Sequence, residues 1–302
     1  MIQEPNGVLI VNKHAGVTSH HIVNVVRRLY HTRRVGHAGT LDPMATGVLV
    51  VLIGRAAKAS EYLSHDAKHY RTTLRLGLTT DTEDTTGEVL TTSENIPSFE
   101  ELQSVLPRFR GKILQTPPMY SALKVDGQKL VDLARRGEVI AREAREIALF
   151  SLDTTPTDNK CEYILDLHCS GGTYIRTLCA DIGAALGCGG AMASLERGEA
   201  CGFDLSISHT VEEIEAMTDD ERVSLLIPTE RLFADLPVVR LSAFFEKLSR
   251  SGCEIYLKKL GISLPIGTRV SMCDQNGAFF ALGEVGEFRD GVAVKAIKMF
   301  VL

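Results

Sequence analysis

Val48 to Ile53 (VLVVLI) is an unbroken apolar run placed directly behind GHAGTLDPMATG at 36–47, a stretch too rich in Gly and Pro to be helical. Apolar runs of this length, bounded by turn residues, read as buried strands. The chain must therefore fold so that a glycine-spaced loop ends against a buried strand. That loop holds one histidine, His37, and one acid, Asp42, and the basic pair Arg33 and Arg34 precedes it. An acid fixed in such a place is a candidate reactive group.

The 302 residues suffice for two domains with a sizeable core. At 44% hydrophobic and 24% charged, the composition is that of a soluble globular protein. No run of about 18 apolar residues is present, so no transmembrane helix is expected. The N-terminus, MIQEPNGVLIVNK, lacks the charged and long apolar regions of a signal peptide, and a cytoplasmic location is expected. Seven cysteines include no C-x-x-C pair, so they read as reduced thiols, and no metal site is expected. The net charge of −5 argues against a nucleic-acid partner until its distribution is considered. Residues 1–60 carry 7 Lys+Arg against 2 Asp+Glu, and residues 101–150 and 236–302 each carry 9 against 6, whereas 151–235 carries 5 against 16. A chain polarised in this way can meet a polyanion on one face.

Gly7 to Asn12 reads as a strand, and Thr18 or Ser19 caps a helix with Ile22, Val25, Val26 and Leu29 at helical spacing. A short helical segment is expected at 56–64. A strand at 69–78 has Tyr70, Thr72, Leu74, Leu76 and Leu78 on one side. The acidic loop 79–88 follows, then a helix at 99–106 announced by the capping-box pair Ser98 and Glu101. Residues 111–127, with two adjacent prolines, are expected to be irregular. A basic helix at about 128–137 and strands at 145–153 and 160–169 come next. SGG at 170–172 then turns into a helix from about Thr173 to Leu186, with Arg176 in its first turn. The helix dipole disfavours a cation there, and a carboxylate partner would offset this. Thr210 and Glu213 form another capping box, for a helix at 211–217. Beyond a boundary near residue 236, helix 242–250 and short strands turning at Asn276-Gly277 and Asp290-Gly291 suggest a small β-rich unit.

From the residues alone the chemistry stays open. Asp42-Pro43 is a common turn dipeptide, His37 could simply fill a loop, and Tyr70 could be a core-edge aromatic. No G-x-S-x-G, P-loop, dinucleotide glycine pattern or H-E-x-x-H occurs.

GHAGTLDPMATGVL (36–49), however, closely resembles the signature of the TruB family of tRNA pseudouridine synthases. NKHAGVTSHH (12–21), HYRTTLRLGLTTDTEDTTGE (69–88), QTPPMYSALKVDGQKL (115–130) and CSGGTYIRTLCADIG (169–183) resemble further family motifs, and the likeness spans 7–230. The tail resembles a PUA-type RNA-binding domain. His14 stands where the family has proline, and Leu130-Val131 where it has an aromatic.

The resemblance implies an α/β (α+β) fold: a catalytic domain, residues 1–235, with a mixed, mainly antiparallel sheet flanked by helices and an RNA-binding insertion at about 111–145, then a PUA-like domain, 236–302. It implies isomerisation of uridine to pseudouridine at position 55 in the tRNA T arm, by base flipping, with no cofactor and no metal. It also implies help with tRNA folding. Asp42 would be the essential aspartate, Arg176 its partner, and Tyr70 the aromatic on the target uracil. His37 would stack in the opened arm, Leu195 would lie under the ring, and Lys13, Arg33, Arg34 and Lys124 would contact RNA. The expected partner is tRNA, at its T arm and acceptor end, with no membrane association and a monomeric enzyme. Competing readings are a guide-RNA-dependent synthase, a non-catalytic RNA-binding protein, and an unrelated hydrolase using Asp42.

Overall fold

A computed structural model describes residues 4–63, 67–121, 123–125 and 127–301. The main sheet is built from β1 (Gly7–Lys13), β2 (Val35–Ala38), β3 (Thr46–Ile53), β4 (Lys68–Leu76), β5 (Gly111–Gln115), β6 (Arg145–Pro156), β7 (Glu162–Cys169), β8 (Gly190–Ala200) and β9 (Phe203–Asp204). Its strand order is β1-β3-β8-β4-β7-β6-β5, with β2 paired to β3 and β9 to β8. All pairings are antiparallel except β3 with β8. Helix α1 (Ser19–Leu29) is capped by the Thr18 hydroxyl, which accepts from the His21 N–H, and α2 (Phe99–Val105) by a complete Ser98–Glu101 capping box. Helix α3 (Ile175–Ala185) buries Ile175, Leu178, Cys179 and Ile182, which fall on one face at helical spacing.

The apolar run in β3 has a physical cause. Leu49, Val51 and Ile53 pack with Ile22 and Val26 of α1 and with Ile175 and Leu178 of α3. Val48, Val50 and Leu52 face the other way and join Val8, Ile10, Phe203, Phe233, Phe279, Leu282 and Phe300 in a second core. A strand covered on both sides has no polar face, so its sequence does not alternate. β4 does alternate, because only its Tyr70, Thr72, Leu74 and Leu76 side is buried.

A five-stranded sheet closes the C-terminal part, from Val238–Arg240 through Phe279–Phe288 and Gly291–Met299. Cys273, Phe279, Leu282 and Phe300 of this unit belong to the second core, so it is packed onto the back of β1 and β3.

Several expectations are corrected. Gly111–Gln115 is a strand, because an edge position beside β6 needs pairing on one side only and the prolines fall just beyond it. The basic helix is one short turn, Leu130–Ala134, preceded by two paired two-residue strands, Lys124–Val125 and Gln128–Lys129. The segment expected at 56–64 is a 3-10 helix over Gly54–Tyr62, and residue 64 lies outside the described residues. The strand expected at 69–78 breaks at Gly77, where φ of +89° turns the chain into a separate ribbon, Leu78–Thr80 with Val89–Thr92. His37 sits in β2 opposite Val51, not in a loop. Strand β8, in the middle of the sheet, had no counterpart in the sequence reading.

Candidate active site

Asp42 lies in the loop between β2 and β3, and Arg176 lies in the first turn of α3, 134 residues later. The fold joins them. Arg176 Nε donates to Asp42 Oδ2 at 2.9 Å and Nη2 to Oδ1 at 3.4 Å. The Arg176 side chain is 6% exposed and that of Asp42 33%, so the pair opens to solvent on the carboxylate side. Paired side by side in this way, the guanidinium fixes the plane of the carboxylate.

The same guanidinium ties down two further segments. Nη1 donates to the Thr82 carbonyl at 3.0 Å and Nη2 to the Tyr120 carbonyl at 2.7 Å. Buried Asp84 lies 4.0 Å from Nε and accepts from the Thr82 and Thr86 hydroxyls and the Thr86 N–H. Glu83 beside it adopts φ of +63°, a left-handed conformation uncommon away from glycine, with its carboxylate accepting from the Thr177 hydroxyl at 2.6 Å. Burial pushes the Glu83 carboxyl up. At the start of α3, Gln115 exchanges two hydrogen bonds with the backbone of Tyr174, at 2.8 and 3.0 Å, which anchors the root of the insertion.

Tyr70 on β4 and Leu195 on β8 are both buried, on adjacent paired strands. Burial raises the Tyr70 phenol, the nearby Arg197 guanidinium pulls it down, and the charge of Asp42 also reaches it. His37 is half-buried; burial first, then the charge of Arg197, lowers its pKa, so the imidazole is neutral at neutral pH. Among the described residues its Nδ1 has no hydrogen-bond partner.

The remaining expected residues divide. Arg33 and Arg34 are exposed before β2, with Arg34 3.1 Å from Glu4, and Lys124 is exposed on the insertion hairpin. Lys13 is different. It is fully buried, and its Nζ donates to the carbonyls of His14, Pro43 and Ala45 at 3.0, 3.2 and 2.6 Å. A group enclosed in this way does not reach a phosphate, so the expectation of an RNA contact is corrected: Lys13 clamps the Asp42 loop from within. Burial lowers its pKa to about 8. The Gly16 N–H donates to the Pro43 carbonyl at 2.8 Å, so the turn is held even with His14 in place of proline.

Comparison with known proteins gives the family of the chain. Residues 27–175 match the model of the TruB family pseudouridylate synthase N-terminal domain, and residues 176–234 that of the tRNA pseudouridylate synthase B C-terminal domain. A tRNA pseudouridine synthase B of Pseudomonas putida (strain GB-1) is 41% identical over 295 residues, 93% of this chain and 92% of the relative. One of Syntrophotalea carbinolica is 41% identical over 263 residues, 86% and 81% of the two chains. The chain belongs to the TruB family of pseudouridine synthases. It is an isomerase that converts uridine to pseudouridine in tRNA. In fold it is similar to a chain of an H/ACA RNP bound to a substrate RNA containing 2'-deoxyuridine, with a TM-score of 0.72, 19% identity and coverage of 99% and 86%. A chain of a Cbf5-Nop10-Gar1 complex gives a TM-score of 0.71 at 22% identity, covering 98% and 85%.

In this TruB-family chain two site residues escaped sequence reading. Asp84 sits among threonines in an acidic loop that reads as solvated. Arg197 lies in a segment with no clean period, because β8 is bulged between Met192 and Ser194 and between Arg197 and Glu199. The loop and β8 touch most tightly at Gly47, where φ is +100° and an added Cβ would meet the Arg197 carbonyl oxygen at 2.3 Å. Gly47→Ala is therefore expected to cost more than about 3 kcal/mol, from the backbone conformation and the clash together. A urea midpoint equal to the parent's would contradict this.

Proposed function

We propose that this enzyme isomerises the uridine at position 55 in the T arm of tRNA, with Asp42 acting on the nucleotide after the base has turned out of the folded arm. The observation that carries the reading is the Asp42–Arg176 pair: a carboxylate clamped by a buried guanidinium yet open on one side. Chemistry at the glycosidic bond needs such a fixed, accessible oxygen. Extruding the base costs a few kcal/mol, and a neutral ring at His37 recovers part of it by stacking. Tyr70 stacks on the turned-out uracil, and Leu195 supports it from below. Arg33, Arg34 and the exposed basic side chains of the insertion, Lys124 among them, meet phosphates, and the C-terminal unit meets the acceptor end. The enzyme works as a monomer and also assists tRNA folding.

Mapping pseudouridines in an unmodified tRNA transcript after incubation with the enzyme alone tests the assignment. Conversion of the T-arm uridine is expected. Conversion elsewhere, or only with added guide RNA, overturns it, and release of free uracil points to a hydrolase. RNA affinity is also expected to fall steeply with salt, because each phosphate neutralised adds about 0.9 to the slope of log affinity against log salt. A slope near zero would remove the basic face from the reading.

A further inference from the structure

Arg197 has no role in the reaction as read so far, yet it is fully buried at the centre of the sheet. Its acceptors are the carbonyls of Val48 at 2.8 Å (from Nε) and Gly39 at 3.1 Å (from Nη2), and no carboxylate pairs with it among the described residues. Among the described residues Nη1 has no hydrogen-bond partner. A guanidinium buried without a carboxylate is unfavourable, so folding alone gives little reason for one here.

Its neighbours give a reason. Arg197 pairs through its backbone with Gly47 on one side and Tyr70 on the other. Nη1 lies 3.3 Å from where a Cβ on Gly39 would stand, directly under the loop. Tyr70 is its direct register partner on the neighbouring strand, and the guanidinium charge acts on the Tyr70 phenol, pulling its pKa down against burial. These contacts therefore run to the two ends of the Asp42 loop or to Tyr70. Arginine donates and never accepts. A phenol paired with it can therefore only accept, which leaves the phenol's own hydrogen free for another partner.

We propose that Arg197 is a positioning residue for the isomerisation, holding the Tyr70 hydroxyl and the Gly39–Val48 loop that carries Asp42 in one fixed relation. This rests on the reading of Tyr70 and Asp42 given above.

A double-mutant cycle tests it, using single-turnover tritium release from tRNA labelled at uracil C5, with filter binding for affinity. Arg197→Met is expected to slow release about 100-fold, the scale of losing one preorganised donor, with tRNA affinity within about threefold of the parent. In a Tyr70→Phe background the same substitution is expected to slow release by clearly less, because only the contacts to the Gly39 and Val48 carbonyls remain to be lost. Arg197→Lys, which keeps the charge without the planar fork, is expected to retain more rate than the methionine variant. A parental rate for Arg197→Met, or an equal fall in both backgrounds, overturns the proposal. If Tyr70→Phe alone reacts at the parental rate, the proposal is overturned because the hydroxyl it relies on has no part, while the stacking reading of Tyr70 stands, which separates the two failures. Should Arg197→Met not fold, the cycle is run with Arg197→Lys and judged by the same non-additivity.

Discussion

Asp42→Asn is expected to lower tritium release from C5-labelled tRNA by about four orders of magnitude or more while tRNA affinity stays within about threefold of the parent. The two halves of the prediction have separate grounds. Asparagine matches aspartate in shape, so the loop keeps its clamps: Lys13 on the carbonyls of His14, Pro43 and Ala45, and Ser19 Oγ donating to the Leu41 carbonyl at 3.0 Å and accepting its N–H at 2.8 Å. None of these uses the carboxylate, so the RNA-facing surface is retained. What disappears is the charged oxygen, and half of the pairing with Arg176 goes with it, since an amide nitrogen cannot accept. Undiminished release would sink Asp42 as the reacting group. An equal collapse of binding would place it in recognition instead.

Arg176→Met is the second large effect, and it should differ in kind. Removing the guanidinium deletes hydrogen bonds to Asp42, Thr82 and Tyr120 together and leaves Asp84 buried without its nearest cation. Breaking a buried ion pair from one side costs about 3–5 kcal/mol, so the urea midpoint should fall along with the rate. Because Tyr120 belongs to the insertion, tRNA affinity should fall too, unlike in the Asp42 variant. Arg176→Lys keeps a charge but not two parallel donors and should lose about 100- to 1,000-fold in rate. A methionine variant with the parental midpoint and affinity would show that the three segments are held by other contacts.

What could be read in advance depended on how local the cause was. Helix starts were legible because their caps are sequence neighbours: Thr18 for α1, and the reciprocal pairs Ser98–Glu101 and Thr210–Glu213. β4 and β7 were legible because one buried face leaves a period of two. The oddly placed Arg176 signalled a missing carboxylate, and the fold supplies Asp42. Lys13 misled because its partners are carbonyls thirty residues away, and a lysine after a strand ordinarily ends in water. β8 was illegible for two reasons: its bulges shift the pattern out of phase, and its largest buried side chain is an arginine. The strand at Gly111–Gln115 was hidden by its exposed edge position, where Leu114 faces solvent.

The place of β8 also bears on how the protein is made. It lies between β3 and β4, yet a ribosome releases it more than a hundred residues after both have emerged. A nascent chain carrying β1 to β7 therefore has a gap at the centre of its sheet, with two unpaired strand edges facing each other. Pairings across such sequence separations form slowly, because the loop must close before they are rewarded. Until β8 enters that gap and brings Arg197 with it, the Asp42 loop has its Lys13 and Ser19 contacts but not those to Arg197, so the last support of this loop and the completion of the sheet arrive together, late in synthesis.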